Sequence, residues 1–142
     1  MFSPDFDTFD SVRTRSSTLF DTIITYGCRA ANGSSSQSFQ RLQSVLRQRV
    51  SDLILTPVGS IQDGLESVQA LLILACYSDK GWLLTTIAIR IAIELNLSGS
   101  VEFLLRKTMT RKASENDMVS EEEVKLFRNA RLWCGLFNID QM

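Results

Sequence analysis

The sequence predicts an all-α fold of about six helices packed as antiparallel pairs. Apolar residues recur at steps of three and four through most of the chain, which is the period of a helix buried along one face. The 142 residues suit a single domain, and 44% hydrophobic with 22% charged residues is an ordinary globular composition. Turn-forming runs divide the helical segments at 32–36, 56–60, 78–81, 96–100 and 110–118.

The first two helices are predicted at about 9–30 and 36–55. The opening turns of the first segment are polar, so we expect the helix to begin at Ser16 or Ser17, after a polar tail of residues 1–15. The domain would then comprise residues 16–142. In the second helix Arg41, Arg47 and Arg49 lie off the apolar stripe. They could bind phosphate, but a solvated face is favoured because no aromatic residues are interleaved with them.

The next two helices form an apolar hairpin at 69–97, QALLILACYSDKGWLLTTIAIRIAIELNL. Ser60 is suited to cap the first of them, which is apolar almost all round from residue 70 to 77 and therefore must be central. Gly81 is expected to adopt a positive φ in the turn. On the second helix Ala88 and Ala92 allow a neighbouring helix to approach closely, and Trp82 is predicted to fill the gap beside the turn.

The last two helices are predicted to flank a polar loop at about 109–119. The fifth helix begins at Ser98 or Ser100, and Ser120 opens the sixth with a capping box that includes Glu123. Within the loop, Arg111-Lys112-Ala113-Ser114 has a form that basophilic kinases favour, so Ser114 is a possible phosphorylation site. Arg131 could contact a substrate, but a side chain laid along the helix surface is favoured.

Little in the composition indicates a catalytic, metal-binding or cofactor-binding function. The chain has no histidine, which removes the commonest catalytic base and metal ligand, and its glycines do not form a phosphate-binding loop. Cys28, Cys76 and Cys134 are widely spaced in apolar contexts and are predicted to be buried thiols. No cofactor is expected, and a net charge of −1 argues against non-specific DNA binding. No membrane span is predicted, because Asp79 and Lys80 interrupt the apolar hairpin.

The hairpin and the last helix together resemble the fungal-specific transcription factor domain, the middle regulatory region of zinc-cluster (Zn2Cys6) transcription factors. The resemblance depends on a Gln-Ala-Leu-Leu helix, a following helix with Trp and two Ala one turn apart, and a later Arg-x-Trp helix. These positions are Gln69, Ala70, Leu71, Leu72; Trp82, Ala88, Ala92, Leu95; and Ala130, Arg131, Trp133, Leu136, Asp140. The variant CYSDKGWLLTT is most similar to the branch of protease-gene activators and weak-acid response regulators.

The resemblance implies a nuclear regulatory segment that responds to an effector or to intramolecular masking. Zinc and DNA would be bound only by a zinc cluster elsewhere in the parent protein, since no Cys-x2-Cys-x6-Cys occurs here. The family domain continues past the tryptophan helix, so we expect an incomplete part of a larger helical domain. Leu136, Phe137 and Ile139 should then be uncovered and available to protein partners or to self-association. In that reading Trp82 and Trp133 are packing residues.

Two alternatives stay open at this point. The first is a stand-alone helical adaptor or dimerisation module that uses the same amphipathic faces. The second is an enzyme that uses carboxylate or lysine chemistry. The sequence names no effector, no target gene and no residue that would bind an effector, so the regulatory reading is the main prediction and catalysis is not expected.

Overall fold

Most of the backbone is helical in a computed structural model that describes residues 6–56, 58–110 and 120–140. Within these ranges the chain forms seven helices and no strand, so the predicted all-α class is confirmed, with one helix more than expected. The helices are α1 (Phe9–Arg15), α2 (Ser17–Asn32), α3 (Gln37–Leu55), α4 (Ile61–Tyr77), α5 (Gly81–Glu94), α6 (Leu97–Thr110) and α7 (Glu121–Asp140).

The additional helix lies in the segment that the sequence predicted to be a polar tail. Thr8 caps α1 by accepting a hydrogen bond from the backbone N–H of Ser11, and α1 ends at Arg15, just before Ser16. Ser16 in turn caps α2, as expected, by accepting from the backbone N–H of Leu19 at 3.2 Å. Val12 of α1 is buried, so this segment contributes to the core.

Helix α4 is the centre of the structure. Every residue from 64 to 72 is buried, as are Leu74 and Ala75. On one side the main core joins α4 to α5, α6 and α7 through Leu72, Ile91, Leu97, Leu132 and Leu136. On the other side a smaller cluster joins α4 to α1 and α2. The central position follows from an apolar surface that only neighbours on all sides can cover.

The α4–α5 hairpin has the predicted close approach but a different turn. Ala88 and Ala92 are fully buried against α4, as their small size allows. Gly81 is the first residue of α5 and is not among the residues with positive φ. A Cβ atom there would lie 2.6 Å from the backbone carbonyl oxygen of Ala75. Glycine is therefore required for close backbone packing, and the predicted positive φ is wrong.

The remaining helix boundaries depend on local side-chain contacts. Ser60 accepts from the Asp63 N–H at 3.1 Å, and Ser120 and Glu123 form the predicted capping box at the start of α7. Helix α6 begins at Leu97, earlier than predicted. The residue before it, Asn96, has φ of 52°, a left-handed conformation that asparagine tolerates better than most residues.

Candidate functional site: a groove between α4 and α7

A carboxylate is buried in the middle of the central helix. Glu66 is completely inaccessible to solvent, and its Oε1 accepts a hydrogen bond from Arg15 Nε at 2.7 Å and another from the Gln62 side chain. Its Oε2 has no hydrogen-bond partner among the described residues. A buried charge is retained in a fold only when a partner compensates it, so Arg15 is required by Glu66.

Arg15 also holds the segment that precedes α1. Its Nη2 donates to Asp7 Oδ1 at 2.7 Å and its Nη1 to the Phe6 carbonyl oxygen at 3.0 Å. The guanidinium carbon lies 4.0 Å from the centroid of the Phe6 ring. Residues 6 and 7 are thus attached to α4 through one side chain, with the Phe6 ring directed toward α7.

A second arginine lies over the same ring from α7. The guanidinium carbon of Arg128 is 4.5 Å from the Phe6 centroid, and its Nη2 is enclosed without a hydrogen-bond partner among the described residues. Burial lowers the pKa of Arg128, and the positive charge of Arg15 lowers it further, whereas Asp7 and Glu66 act in the opposite direction. The lowered pKa of Arg128 is therefore due first to the burial of its guanidinium.

A groove of about 590 Å³ opens beside this cluster, between Phe6, the first turns of α4 and the first half of α7. We call it the α4–α7 groove. Its walls are mainly apolar, and several wall residues are unusually exposed for their type: Ile61 (68%), Val124 (56%) and Phe127 (48%). The volume is that of a typical small-molecule site. Apolar side chains concentrated in a concavity indicate binding more strongly than scattered ones do.

The charged residues of the groove are mostly positive. Lys125, Arg128 and Arg131 line it together with a single carboxylate, Glu121. Lys125 and Glu121 form an exposed i,i+4 pair at 3.7 Å, which contributes little to stability. Arg131 is exposed on the groove wall and is therefore accessible to a bound molecule.

A second concavity of about 710 Å³ lies between α2, α3 and the α4–α5 turn. Tyr26 and Tyr77 stack at its edge with ring centroids 4.6 Å apart. Burial raises the pKa of the Tyr26 hydroxyl, against the smaller opposing effects of Arg29 and Arg47. Arg47 and Lys80 line this concavity with Asp79, so its charged lining residues have an excess of one positive charge.

The residues that the sequence singled out do not form a site. Gln69, Leu72, Ala88 and Ala92 are buried on α4 and α5. Trp133 is half-buried against the main core and meets Phe137 edge to face at 5.3 Å. Only Arg131 lines the groove. Ser114 and most of the predicted polar loop lie outside the described residues, and residues 109–110 belong to α6.

Several packing predictions are wrong because exposure depends on tertiary contacts. Trp82 is 72% exposed and does not fill the gap beside the turn. Cys76 and Cys134 are exposed and Cys28 is half-buried, although an apolar sequence context had indicated burial. Of the three residues near the end of α7 that were expected to be uncovered, Phe137 is exposed, at 53%, whereas Leu136 is buried and Ile139 is half-buried.

Sequence reasoning missed two groove residues, Phe6 and Arg128, and the three residues of the ion-pair cluster beside the groove, Asp7, Arg15 and Glu66. The available signal was the repeated phenylalanine of MFSPDFDTFD, which is unusual for a solvated tail and indicates attachment to the domain. The partners of Arg15 could not be read from sequence, because Glu66 lies 51 positions away.

The described residues contain no group of three or more His, Cys, Asp or Glu side chains placed to hold a metal ion. Across the same ranges, no helix is both long enough and apolar enough to cross a membrane. The features present are a helical core, an apolar groove and exposed apolar helix faces. These define an all-α domain with an apolar concavity on its surface.

The family follows from comparison with known proteins. The family model described as the fungal specific transcription factor domain matches residues 2–142, and the chain belongs to this family. The match includes the residues of α1 that the sequence analysis had placed in a tail. Neither a curated protein nor a solved structure matches the chain significantly. The family is one of transcription factor domains and not of enzymes, which makes a non-catalytic role the plausible one.

Proposed function

We propose that this chain is the regulatory segment of a fungal zinc-cluster transcription factor, which controls DNA-templated transcription through effector sensing or intramolecular control. The family match over residues 2–142 carries the proposal. The α4–α7 groove supports it, because a concavity with exposed apolar walls at the junction of three chain segments is suited to bind an effector. The sequence CYSDKGWLLTT supports placement in the branch of protease-gene activators and weak-acid response regulators.

In this proposal the chain itself binds neither DNA nor zinc, catalyses no reaction, and acts in the nucleus as part of its parent protein. A net charge of −1 supports the first point, because DNA binding relies on an excess of basic residues that displaces counterions. DNA contact would come from a zinc-cluster domain elsewhere in the parent. Phosphorylation of Ser114 is a further means of control that this proposal retains.

A tethering experiment tests the regulatory role. The chain is fused to a heterologous DNA-binding domain and expressed in fungal cells with a reporter gene that carries the matching operator. We expect reporter output to change in either direction relative to the DNA-binding domain alone. Output equal to that of the DNA-binding domain alone, with the fusion present at normal abundance in the nucleus, would contradict the proposal.

Direct DNA binding is tested separately by fluorescence anisotropy with labelled duplex DNA. We expect the isolated chain to bind more weakly than the Kd of about 10⁻⁴–10⁻⁶ M that is typical of non-specific binding proteins. Tighter, salt-dependent binding would show that the chain contacts DNA itself and would overturn that part of the proposal.

The second candidate is a stand-alone helical adaptor or dimerisation module. An exposed apolar face on α5 and α7 favours it: Trp82 and Ile93 share one side of α5, and Phe137 extends that surface on α7, with exposures of 72%, 62% and 53%. Ile89 and Trp133 join the two helices at this surface. Sedimentation equilibrium tests it, since a concentration-dependent dimer that Trp82→Lys abolishes would favour this reading.

A further inference from the structure

The connection between α3 and α4 begins with a threonine that precedes proline. Thr56 follows the last residue of α3, Pro57 comes next in the sequence, and α4 begins at Ile61. Proline disfavours the helical conformation of the residue before it, and Thr56 is accordingly extended, with φ of −99° and ψ of 133°. Serine or threonine followed by proline is the minimal sequence that proline-directed protein kinases modify. Thr56 therefore has both the neighbour and the backbone conformation of a kinase substrate.

The Thr56 hydroxyl is accessible without unfolding of a helix. The residue is exposed, and its Oγ1 donates to the backbone carbonyl oxygen of Asp52 at 2.7 Å. A kinase must align the accepting hydroxyl with the γ-phosphate of ATP, which an exposed residue outside a helix allows. In contrast, Thr22 and Thr85 are buried within α2 and α5. Exposure thus distinguishes Thr56 from the threonines of the core.

The charges around Thr56 are mostly negative. Thr56 lines a third concavity, of about 640 Å³, together with Arg90 and Glu94 of α5, which lie 3.4 Å apart and are each about half exposed. Asp52 lies one turn before Thr56 on α3, and Asp63 lies in the first turn of α4. Among the described residues of this region, one cation therefore faces three carboxylates.

A phosphate at this position would be repelled. Phosphothreonine carries about 1.5–2 negative charges at pH 7, and the last carbonyl groups of α3 already form the negative end of a helix dipole. An esterified Oγ1 has no proton to donate to the Asp52 carbonyl oxygen, so α3 also loses a side-chain hydrogen bond at its end. Arg90 is half exposed and already pairs with Glu94. Repulsion by the helix end and the carboxylates therefore exceeds attraction by this arginine.

We propose that Thr56 is a phosphorylation site for a proline-directed serine/threonine kinase, and that the added phosphate opens the last turn of α3. In the reaction, Thr56 Oγ1 forms a bond to the γ-phosphorus of ATP, and the bond from that phosphorus to the β–γ bridging oxygen breaks. The hydroxyl proton passes to the catalytic aspartate of the kinase, and ADP leaves.

The modification acts on the core through two valines. Val50 of α3 and Val58 of the connection pack against the main core, one on each side of Thr56 in the sequence. Opening the turn between them weakens the attachment of this end of α3 to the domain. The inference goes beyond the proposed function, because covalent control of the fold does not depend on what the domain recognises.

Site mapping tests the modification. The full chain is incubated with a purified mitogen-activated protein kinase and Mg-ATP, and phosphorylated positions are identified by mass spectrometry. Ser3→Ala serves as the background, because Ser3-Pro4 is the other Ser/Thr-Pro pair of the sequence. We expect phosphate on Thr56 and its loss in Pro57→Ala, which keeps the hydroxyl. An unmodified Thr56, while the kinase modifies a reference substrate, would overturn the proposal, and so would equal modification of Pro57→Ala.

Amide hydrogen exchange tests the effect on α3. The Thr56 amide donates to the Asp52 carbonyl oxygen at 3.0 Å, so it reports directly on the last turn. We expect the amides of residues 54–56 to exchange about tenfold faster after phosphorylation. Thr56→Val is the matched control, since it removes the hydroxyl without adding charge, and it should accelerate exchange less. Exchange that is unchanged or slower after phosphorylation would overturn the opening of α3.

Salt and one arginine variant identify the cause as electrostatic. In about 1 M NaCl, where the Debye length is about 3 Å, the acceleration by phosphate should shrink. Arg90→Gln should increase it, whereas Arg106→Gln, in a comparable i,i+4 pair with Glu102 on α6, should leave it unchanged. An acceleration that responds neither to salt nor to Arg90→Gln would overturn repulsion as the cause.

Discussion

Replacement of Arg15 by Met tests whether the N-terminal segment is fastened to the central helix. Methionine keeps an apolar chain of similar length but removes the guanidinium that pairs with Glu66 and Asp7, both at 2.7 Å. Glu66, with no solvent access, then keeps the Gln62 amide as its one hydrogen-bond donor among the residues that the structure describes. The substitution thus isolates a carboxylate in the core without creating a large cavity.

The magnitude follows from the burial of the two partners. Removing one partner of a buried ion pair costs about 3–5 kcal/mol, because the remaining charge is uncompensated. The Arg15 side chain is 17% exposed, so water can relieve part of the penalty. We therefore expect a loss near the lower limit, about 3 kcal/mol of the free energy of unfolding. That is a large fraction of the 5–15 kcal/mol that stabilises an ordinary domain.

Urea denaturation followed by far-UV circular dichroism measures the loss. With an m-value of about 1–3 kcal/mol/M, the midpoint should fall by roughly 1–3 M without a change in m. Arg13→Met is the matched control, since Arg13 is exposed two positions earlier on α1, and it should change stability by no more than about 0.5 kcal/mol.

A double variant separates the buried charge from general damage to α1. Arg15→Met combined with Glu66→Leu removes the buried Glu66 charge but still takes Arg15 away from Asp7, whose side chain is 3% exposed, so it should recover part of the stability that Arg15→Met loses. The reasoning is refuted if Arg15→Met costs less than about 1 kcal/mol. A double variant that is less stable than Arg15→Met alone would also refute it.

Three further predictions concern glycine, tryptophan and tyrosine positions, each measured by the same urea titrations. Gly27→Ala should raise the free energy of unfolding by about 0.5–1 kcal/mol, because a Cβ atom there meets nothing within 4 Å. Gly81→Ala should lower it by about 1–3 kcal/mol, because its Cβ atom would clash with a backbone carbonyl of α4. Equal effects of the two variants would contradict the close approach of α4 and α5 at Gly81. Trp133→Ala should lower the free energy of unfolding by about 2–3 kcal/mol, below the range for a fully buried Trp, because Trp133 is half-buried. Trp82→Ala, at an exposed position, should lower it by no more than about 0.5 kcal/mol. A larger loss for Trp82→Ala than for Trp133→Ala would contradict the described burial of the two tryptophans. Burial raises the pKa of Tyr26 above 10.0, so the unfolded chain loses this proton at a lower pH than the folded chain does. The free energy of unfolding should therefore fall as the pH rises through about 10, and it should fall less steeply for Tyr26→Phe. Identical slopes for the two proteins would contradict a buried Tyr26 hydroxyl.

Much of the secondary structure could be predicted because the forces that define it are local. Ser16, Ser60 and Ser120 each accept a backbone N–H from a residue three positions later, so the sequence near each serine is enough to locate a helix start. The all-round apolar character of α4 indicated its central position for a similar reason, since no arrangement exposes a helix of that kind to water.

The same reasoning failed where several apolar residues competed for a limited interior. Trp82 at the start of α5 and Cys76 at the end of α4 occur in strongly apolar stretches, yet both are exposed, because this end of the hairpin has more apolar positions than the neighbouring helices cover. Ala88 and Ala92 illustrate the opposite case. Their small side chains require close approach of α4, and that requirement was evident from spacing alone.

The sequence by itself determined the helices other than α1, the serine caps at Ser16, Ser60 and Ser120, the central place of α4 and the absence of histidine chemistry, since each depends on residues within a few positions or on composition. Only the tertiary structure decided that Glu66 is buried, that Arg15 compensates it from 51 positions away, and that Phe6 and Arg128 meet beside an apolar groove. An ion pair of this separation leaves no periodic signal in the chain. Its partners are selected by how the helices pack, and packing is a property of the whole core.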